Sequence, residues 1–189
     1  DGICIRYEAE STRDTFVSLT NHAYFNLAGH GNGSVLDHTL ALAAEEYTPA
    51  GADNLPFGRL APVGGTALDF CTENSLGARI GDALLAPLHG YDHNFALSGR
   101  GIRRAAKLSC PRSGVSMAVD TTMEGMQLYT ANFLSARAGK GGVQYEPYSG
   151  VCLETQRFPD AMHHAAFPSP LLRAGMRYDE RTEYRFTLA

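Results

Sequence analysis

This sequence contains no tryptophan, no block of like charge and no long apolar run. Its apolar runs fall well short of the roughly 18 residues that a membrane-spanning helix needs. With 20 acidic and 16 basic residues the formal net charge is −4, which argues against a binding surface for nucleic acid or an anionic membrane. The cysteines are widely spaced and form no CxxC pair, which predicts reduced core thiols in a cytoplasmic protein: Cys4, Cys71, Cys110 and Cys152.

Several common functional motifs are absent as well. The sequence has no serine-nucleophile elbow, no P-loop and no GxGxxG fingerprint, which excludes the usual motif-bearing hydrolases and nucleotide-binding folds. The adjacent His163 and His164 would face opposite sides of a strand, so they do not make a metal-ligand pair. We therefore predict no metal site from the sequence.

Short segments of alternating or β-branched character are what the chain does contain, and turn residues separate them. Such a pattern with almost no helix predicts one all-β domain over residues 1–189, built as a sandwich or barrel. Thr72–Leu85 is the one stretch with helical spacing. The predicted extended segments are Phe16–Leu27, Asp37–Tyr47, Asn94–Leu97, Arg104–Ser109, Val115–Asp120, Gln127–Phe133, Val151–Gln156 and Glu183–Leu188.

One predicted strand, Gly150–Gln156, carries a carboxylate in its middle. Alternation places Val151, Leu153 and Thr155 on one face and puts Glu154 on the other, together with Cys152 and Gln156. A carboxylate is disfavoured within a strand and costly to bury without a partner. Glu154 therefore either faces solvent on a half-exposed sheet or has a chemical role.

Two further stretches place polar side chains where a strand would prefer apolar ones. Thr20–Asn26 contains His22 on the same face as Tyr24, and Gly90–Phe95 contains Asp92 on the same face as Asn94. A histidine among aromatics is commonly a structural residue, and an aspartate after Gly-Tyr is equally suited to cap a turn. Sequence spacing leaves open whether these groups meet Glu154 in an acid/base site for a hydroxyl-rich ligand.

Taken in order, several motifs resemble those of the aldose 1-epimerase (galactose mutarotase) family. The resemblance implies a large antiparallel β-sandwich of the galactose mutarotase-like supersandwich type, with an open sugar cleft, that interconverts α and β anomers without a cofactor. The matching motifs are LTNHAYFNLAG (19–29), LDHTLALAAEEYTP (36–49), PVGGTALDF (62–70), GYDHNFAL (90–97), GMQLYTANFL (125–134), GVCLETQRFPDA (150–161) and FPS (167–169).

The resemblance also implies roles for individual residues at the matching positions. His22 would be the general acid that protonates the sugar ring oxygen, and Glu154 the general base that takes the proton from the anomeric hydroxyl. Asp92 and Gln127 would bind sugar hydroxyls. The expected aromatic contacts with the sugar are Tyr24 and Phe95.

Part of the family pattern is missing from this sequence. The expected sugar-binding Arg and the His-Gly-Gly motif do not occur, so the chain resembles the C-terminal two-thirds of the family domain without its N-terminal strands. We expect a mutarotase for hexoses such as galactose or glucose. The alternatives are a weak or inactive sugar-binding β-sandwich and, with less support because arginines such as Arg103 and Arg104 lie outside the shared motifs, a hexose-6-phosphate mutarotase relative. The sequence leaves the oligomeric state undetermined.

Overall fold

The computed structural model of this chain describes residues 1–51 and 53–188. Antiparallel strands dominate it, joined by loops and three short 3-10 turns at Ala86–Leu88, Lys140–Gly142 and Ala161–His163. Fifteen strands occur among the described residues: β1 (Gly2–Glu10), β2 (Thr15–Phe16), β3 (Thr39–Leu42), β4 (Glu46–Tyr47), β5 (Ala61–Pro62), β6 (Asn74–Ser75), β7 (Asp92–Ala96), β8 (Arg103–Ser109), β9 (Val115–Thr121), β10 (Gly125–Tyr129), β11 (Arg137–Ala138), β12 (Gln144–Tyr145), β13 (Cys152–Gln156), β14 (Leu171–Leu172) and β15 (Arg177–Leu188).

Two larger sheets form the frame of the molecule. The first has six strands in the order β1-β15-β9-β8-β3-β6, and the second has five in the order β13-β10-β7-β4-β5. Two small sheets, β11-β12 and β14-β2, accompany them. Neighbouring strands in the larger sheets are often far apart in sequence, so the fold depends on long-range pairing.

The main hydrophobic core lies between these sheets. Leu108, Val119 and Tyr184 come from the six-stranded sheet, and Phe95 and Leu128 from the five-stranded one, and all of them are buried. Because alternate residues of a strand point to opposite faces, each sheet contributes one apolar face to the shared core. This arrangement is the β-sandwich that the sequence predicts, and that prediction is confirmed.

Buried hydroxyl groups link the two sheets beneath β13. The Thr155 hydroxyl lies 2.6 Å from that of Thr182 on β15, which in turn lies 3.0 Å from that of Thr121 on β9. The Tyr184 hydroxyl donates a hydrogen bond of 3.3 Å to the Leu153 carbonyl. Because a buried polar group is costly unless it is paired, these bonds fix the position of β13 against the opposite sheet.

The predicted helix at Thr72–Leu85 is wrong. The segment instead contains β6 and a series of turns, in which Asp82 N bonds to Arg79 O and Leu85 N to Asp82 O, each at 3.0 Å. The Asp82 carboxylate also accepts the Leu84 N–H, which a helix would need for its own ladder. Glycines at 77 and 81 add the entropic cost of ordering a flexible backbone.

The extended prediction for Phe16–Leu27 is also largely wrong. Only β2 and a single bridge between Phe25 and Val151 have strand character there. The Asn21 side chain accepts the Ala23 N–H at 3.1 Å, and Asn26 does the same for Ala28 N–H at 3.0 Å. Such asparagine turns compete with the hydrogen bonding of a sheet, so this stretch is a loop whose turns are held by its own side chains.

The cysteines are unpaired thiols, as predicted, but only Cys110 and Cys152 are core residues, since Cys4 and Cys71 are exposed. None of the helical segments in the described part of the chain has the length and apolar content that a membrane crossing requires.

Candidate active site

Three adjacent strands bring the polar motif residues onto one face of the five-stranded sheet. In the β10–β13 pairing Gln127 lies opposite Glu154, and in the β7–β10 pairing Gln127 lies opposite Asn94. Gln127 Nε2 donates a hydrogen bond of 2.7 Å to Asp92 Oδ1. Residues from three separate motifs therefore meet on the face that points away from the shared core.

Glu154 is buried on this face, with only 7% of its surface exposed. The interpretation of its strand as half-exposed is therefore wrong, because β13 is covered on both faces. The loop containing His22 provides the outer cover, and Phe25 fastens it by two backbone hydrogen bonds with Val151 of 2.8 and 2.9 Å. His22 Nε2 lies 3.5 Å from Glu154 Oε1, while the His22 side chain stays 51% exposed.

Two aromatic rings pack against the His22 imidazole. It stacks on Tyr24 with ring centres 5.1 Å apart, and Tyr129 meets it edge-on at 6.1 Å. Tyr129 is itself held by the Phe133 N–H, which donates to its hydroxyl at 3.1 Å. His22 and Tyr24 thus end side by side, as predicted, although a loop places them there instead of a strand. By contrast Phe95 is fully buried in the core, so its proposed contact with a sugar is wrong.

The electrostatics of the site favour proton transfer at Glu154. Burial raises the pKa of Glu154 above its ordinary value and the nearby Asp92 carboxylate adds to this, while His22 acts in the opposite direction. Burial also raises the pKa of Asp92, against the hydrogen bond from Gln127 and the charge of His22. Raising the pKa of a carboxylate toward neutral pH makes it a stronger base.

Two cavities are lined by neighbours of the acid/base pair. The larger, of about 600 Å³, does not include His22 or Glu154; it lies beside Tyr24, between that residue and Tyr145. A smaller recess of about 60 Å³ is lined in part by Asp92, Asn94 and Gln127. We assign the chemistry to the sheet face where Glu154 meets His22, because the larger cavity contains none of the polar motif residues of β7, β10 and β13.

Comparison with known proteins shows the family of the chain. A family model described as aldose 1-epimerase matches residues 1–185. The chain belongs to the aldose 1-epimerase family. Galactose mutarotase from Mus musculus is 41% identical over 99% of this chain, and aldose 1-epimerase from Escherichia coli is 34% identical over 97% of it. In both cases the chain spans 54% of the length of the relative. The resemblance had implied about two-thirds, so that expectation is corrected to about half.

Solved structures of the aldose 1-epimerase family share the fold. An aldose epimerase homologue from C. elegans matches all of this chain with a TM-score of 0.88 at 25% identity, and the match covers 56% of that chain. Galactose 1-epimerase from Lactobacillus acidophilus matches it with a TM-score of 0.82 at 26% identity and is covered to 54%. The sandwich of this family member is thus that of its relatives.

Sequence reasoning missed several residues that support this epimerase-family site. Asn94 is buried and bridges two side chains, accepting from Gln156 Nε2 and donating to Thr48 Oγ1, each at 3.3 Å. A Cβ on Gly125 would come within 2.8 Å of Asn94 Oδ1, so glycine makes room for that amide. The predicted shared face of Asp92 and Asn94 was the available signal, but the partners of Asn94 come from distant segments.

His38 is another residue that supports the site and that sequence reasoning missed. It is fully buried, its Nε2 accepts the Leu27 N–H at 3.0 Å and its Nδ1 lies 2.8 Å from Asp37 Oδ1. An Nε2 that accepts must be unprotonated, so Nδ1 carries the proton and donates it to Asp37. Burial lowers the pKa of His38 accordingly. This neutral histidine anchors the end of the loop that carries His22.

Proposed function

We propose that this chain catalyses the interconversion of α and β anomers of hexoses such as galactose and glucose. The observation that carries the proposal is the 3.5 Å separation of His22 Nε2 and Glu154 Oε1. Anomerisation needs one proton to leave O1 and another to reach the ring oxygen O5, and both oxygens are bonded to C1. A base and an acid this close reach two such neighbouring oxygens at hydrogen-bond distance.

The reaction follows from these two groups. The Glu154 carboxylate takes the proton from O1 while the His22 imidazolium donates one to O5, and the C1–O5 bond breaks to leave an aldehyde. Rotation about C1–C2 then presents the other face of the carbonyl to O5. On reclosure neutral His22 takes the proton from O5 and Glu154 returns its proton to O1, so both groups regain their starting state. Each positioned group contributes about 10²–10⁴ in rate.

Substrate positioning is assigned to Asp92, Gln127 and Tyr24. Gln127 Oε1 is buried with no hydrogen-bond partner among the described residues, and a sugar hydroxyl would supply the missing donor. Asp92 presents a second carboxylate oxygen beside the one that Gln127 occupies. Tyr24 is 48% exposed and offers part of its surface to an apolar sugar face. The proposed reaction uses no cofactor, and the unpaired thiols favour a cytoplasmic location.

A weak or inactive sugar-binding protein is the second candidate. The exposure of His22 favours it, because an acid half in solvent is less well insulated than its buried base. Polarimetry of freshly dissolved α-galactose and α-glucose separates the two. We expect the optical rotation to decay faster with the protein than in buffer alone. Saturable galactose binding with decay at the buffer rate would establish the second candidate instead.

A further inference from the structure

Cys152 is a thiol that the proposed proton transfers do not use, yet it lies against the groups that perform them. It precedes Glu154 by two residues on β13, so both side chains leave the strand on the same face. Its sulfur, a ring nitrogen of His22 and a carboxylate oxygen of Glu154 all lie within 4.8 Å of one another. We refer to these three residues as the β13 triad.

The β13 triad has the donor types and spacing of a zinc site. Zinc takes Cys, His and Glu ligands at about 2.0–2.3 Å in a tetrahedron, which separates its ligand atoms by about 3.3–3.8 Å. The His22 to Glu154 distance of 3.5 Å already falls in that range. We propose that the β13 triad binds Zn²⁺, or a similar thiophilic divalent cation, with the fourth position open on the solvent-exposed side of His22.

The surroundings of the β13 triad favour a cation. Asp92 lies on the same face of the sheet as Glu154, and among the side chains that the structure describes no lysine or arginine forms an ion pair with either carboxylate. His22 binds a metal ion as the neutral imidazole, and the divalent ion would then supply the positive charge beside Glu154 in its place. On binding, the thiol proton leaves to solvent and a sulfur–zinc bond forms, since the charge of the ion favours the thiolate.

The ability of His22 to move completes the geometry. Cys152 and Glu154 are fixed on a buried strand, whereas His22 lies on a loop with half of its side chain exposed. Closing a His22 to Cys152 separation of up to 4.8 Å to a tetrahedral edge requires a shift of about 1 Å, which that imidazole can make. The bound ion would then occupy the lone pairs with which Glu154 and His22 accept protons during anomerisation. Inhibition by zinc rests on the proposed function, but binding does not.

The other cluster of the same residue types in the described chain, Asp37, His38 and Cys110, provides the matched control. Both ring nitrogens of His38 are already hydrogen-bonded, to Leu27 N–H and to Asp37, and the ring is fully buried. A metal there would have to break both bonds and leave the Leu27 N–H unpaired. We therefore expect the ion to choose the β13 triad.

Binding is tested with the full untagged chain carrying Cys4→Ser and Cys71→Ser, which removes the exposed thiols. Calorimetry with Zn²⁺ should show one site, and Co²⁺ should give the near-ultraviolet charge-transfer band of a thiolate-bound tetrahedral ion. Cys152→Ser should abolish the band and weaken Zn²⁺ binding at least about tenfold, whereas Cys110→Ser should change neither. Glu154→Gln, which is nearly isosteric, is the second variant in case Cys152→Ser does not fold, and it too should weaken binding.

The result that would overturn the proposal is absence of the cobalt band, or a band that survives Cys152→Ser and is lost with Cys110→Ser. A polarimetric arm then tests the consequence: Zn²⁺ should slow anomerisation, and the chelator EDTA should restore it. Failure of the proposed function would show as no activity with or without zinc while the cobalt band remains. Failure of the zinc proposal would show as activity that is present without any band.

Discussion

Two clusters in this molecule contain the same three kinds of side chain and use them in opposite ways. In the β13 triad the carboxylate of Glu154 is buried and His22 is half exposed. In the other cluster His38 is fully buried, and its carboxylate partner Asp37 is exposed. Burial of the carboxylate raises its pKa and favours a base, whereas burial of the histidine lowers its pKa and keeps the ring neutral. The burial of each group, more than its residue type, therefore decides whether it acts as a base or as a neutral structural residue.

The largest expected effect comes from removing the buried carboxylate. Glu154→Gln should lower kcat for galactose anomerisation by at least about 10³, because the amide cannot accept the O1 proton. The fold should persist, since the side chain keeps its shape and loses a buried charge. Polarimetry measures the rate and urea unfolding the stability. Asp37→Asn, the matching change in the other cluster, should leave kcat unchanged; near-normal kcat in Glu154→Gln would refute the base assignment.

Removing the exposed histidine should have the next largest effect. His22→Gln should lower kcat by about 10² or more while sugar affinity changes little, because O5 loses its proton donor. The substitution mainly removes the stack of the imidazole on Tyr24, so stability should hardly change. The split between kcat and KM is the diagnostic measurement. A variant that raises KM at constant kcat would assign His22 to binding instead.

The buried histidine of the other cluster should matter for stability. His38→Ala removes the acceptor of the buried Leu27 N–H and opens a cavity, so we expect a loss of about 3 kcal/mol in the free energy of unfolding. Asp37→Asn should cost much less because Asp37 is exposed. Urea unfolding measures both, and equal losses would show that the histidine is not the anchor.

The stability difference should also depend on pH. The pKa of His38 is lowered from 6.5 by burial, so the unfolded chain takes up a proton before the folded one does. The stability that His38 contributes is therefore fully present above about pH 6.5 and lost as the pH falls below it. The gap between wild type and His38→Ala should narrow in that range, and a gap that widens on acidification would contradict this sign.

The smallest expected effect concerns the charge beside the base. The Asp92 carboxylate contributes to the raised pKa of Glu154, so Asp92→Asn should shift the acid limb of the kcat/KM profile to lower pH. The overall rate should also fall, because the amide would hold the sugar hydroxyl less strongly than the carboxylate, but the position of the limb is independent of that. Asp37→Asn serves as the control. An acid limb that does not move would show that the Asp92 carboxylate does not contribute to the pKa of Glu154.

Local pattern was sufficient for part of the site. The alternation in Gly150–Gln156 placed Cys152 and Glu154 on one face, and the structure confirms that face. The local pattern could not predict that Glu154 is buried. The loop that covers it is attached next to β13 by the bridge between Val151 and Phe25, which is distant in sequence. It also failed at Thr72–Leu85, where the Asp82 side chain competes with the helical ladder.

The sequence by itself determined the all-β class, the approximate positions of the longer strands in the second half of the chain and, through its ordered motifs, the family. These properties rest on periodicity and short motifs, which are local. The sequence did not predict β11, β12 or β14, and the predicted segment Gln127–Phe133 continues past the end of β10 at Tyr129. Only the tertiary structure decided that Asp92, Gln127 and Glu154 share one face, that His22 reaches Glu154 from a loop, and that Cys152 lies beside both. The physical reason is that strand register and loop packing are long-range, and they set the burial and the distances on which the chemistry depends.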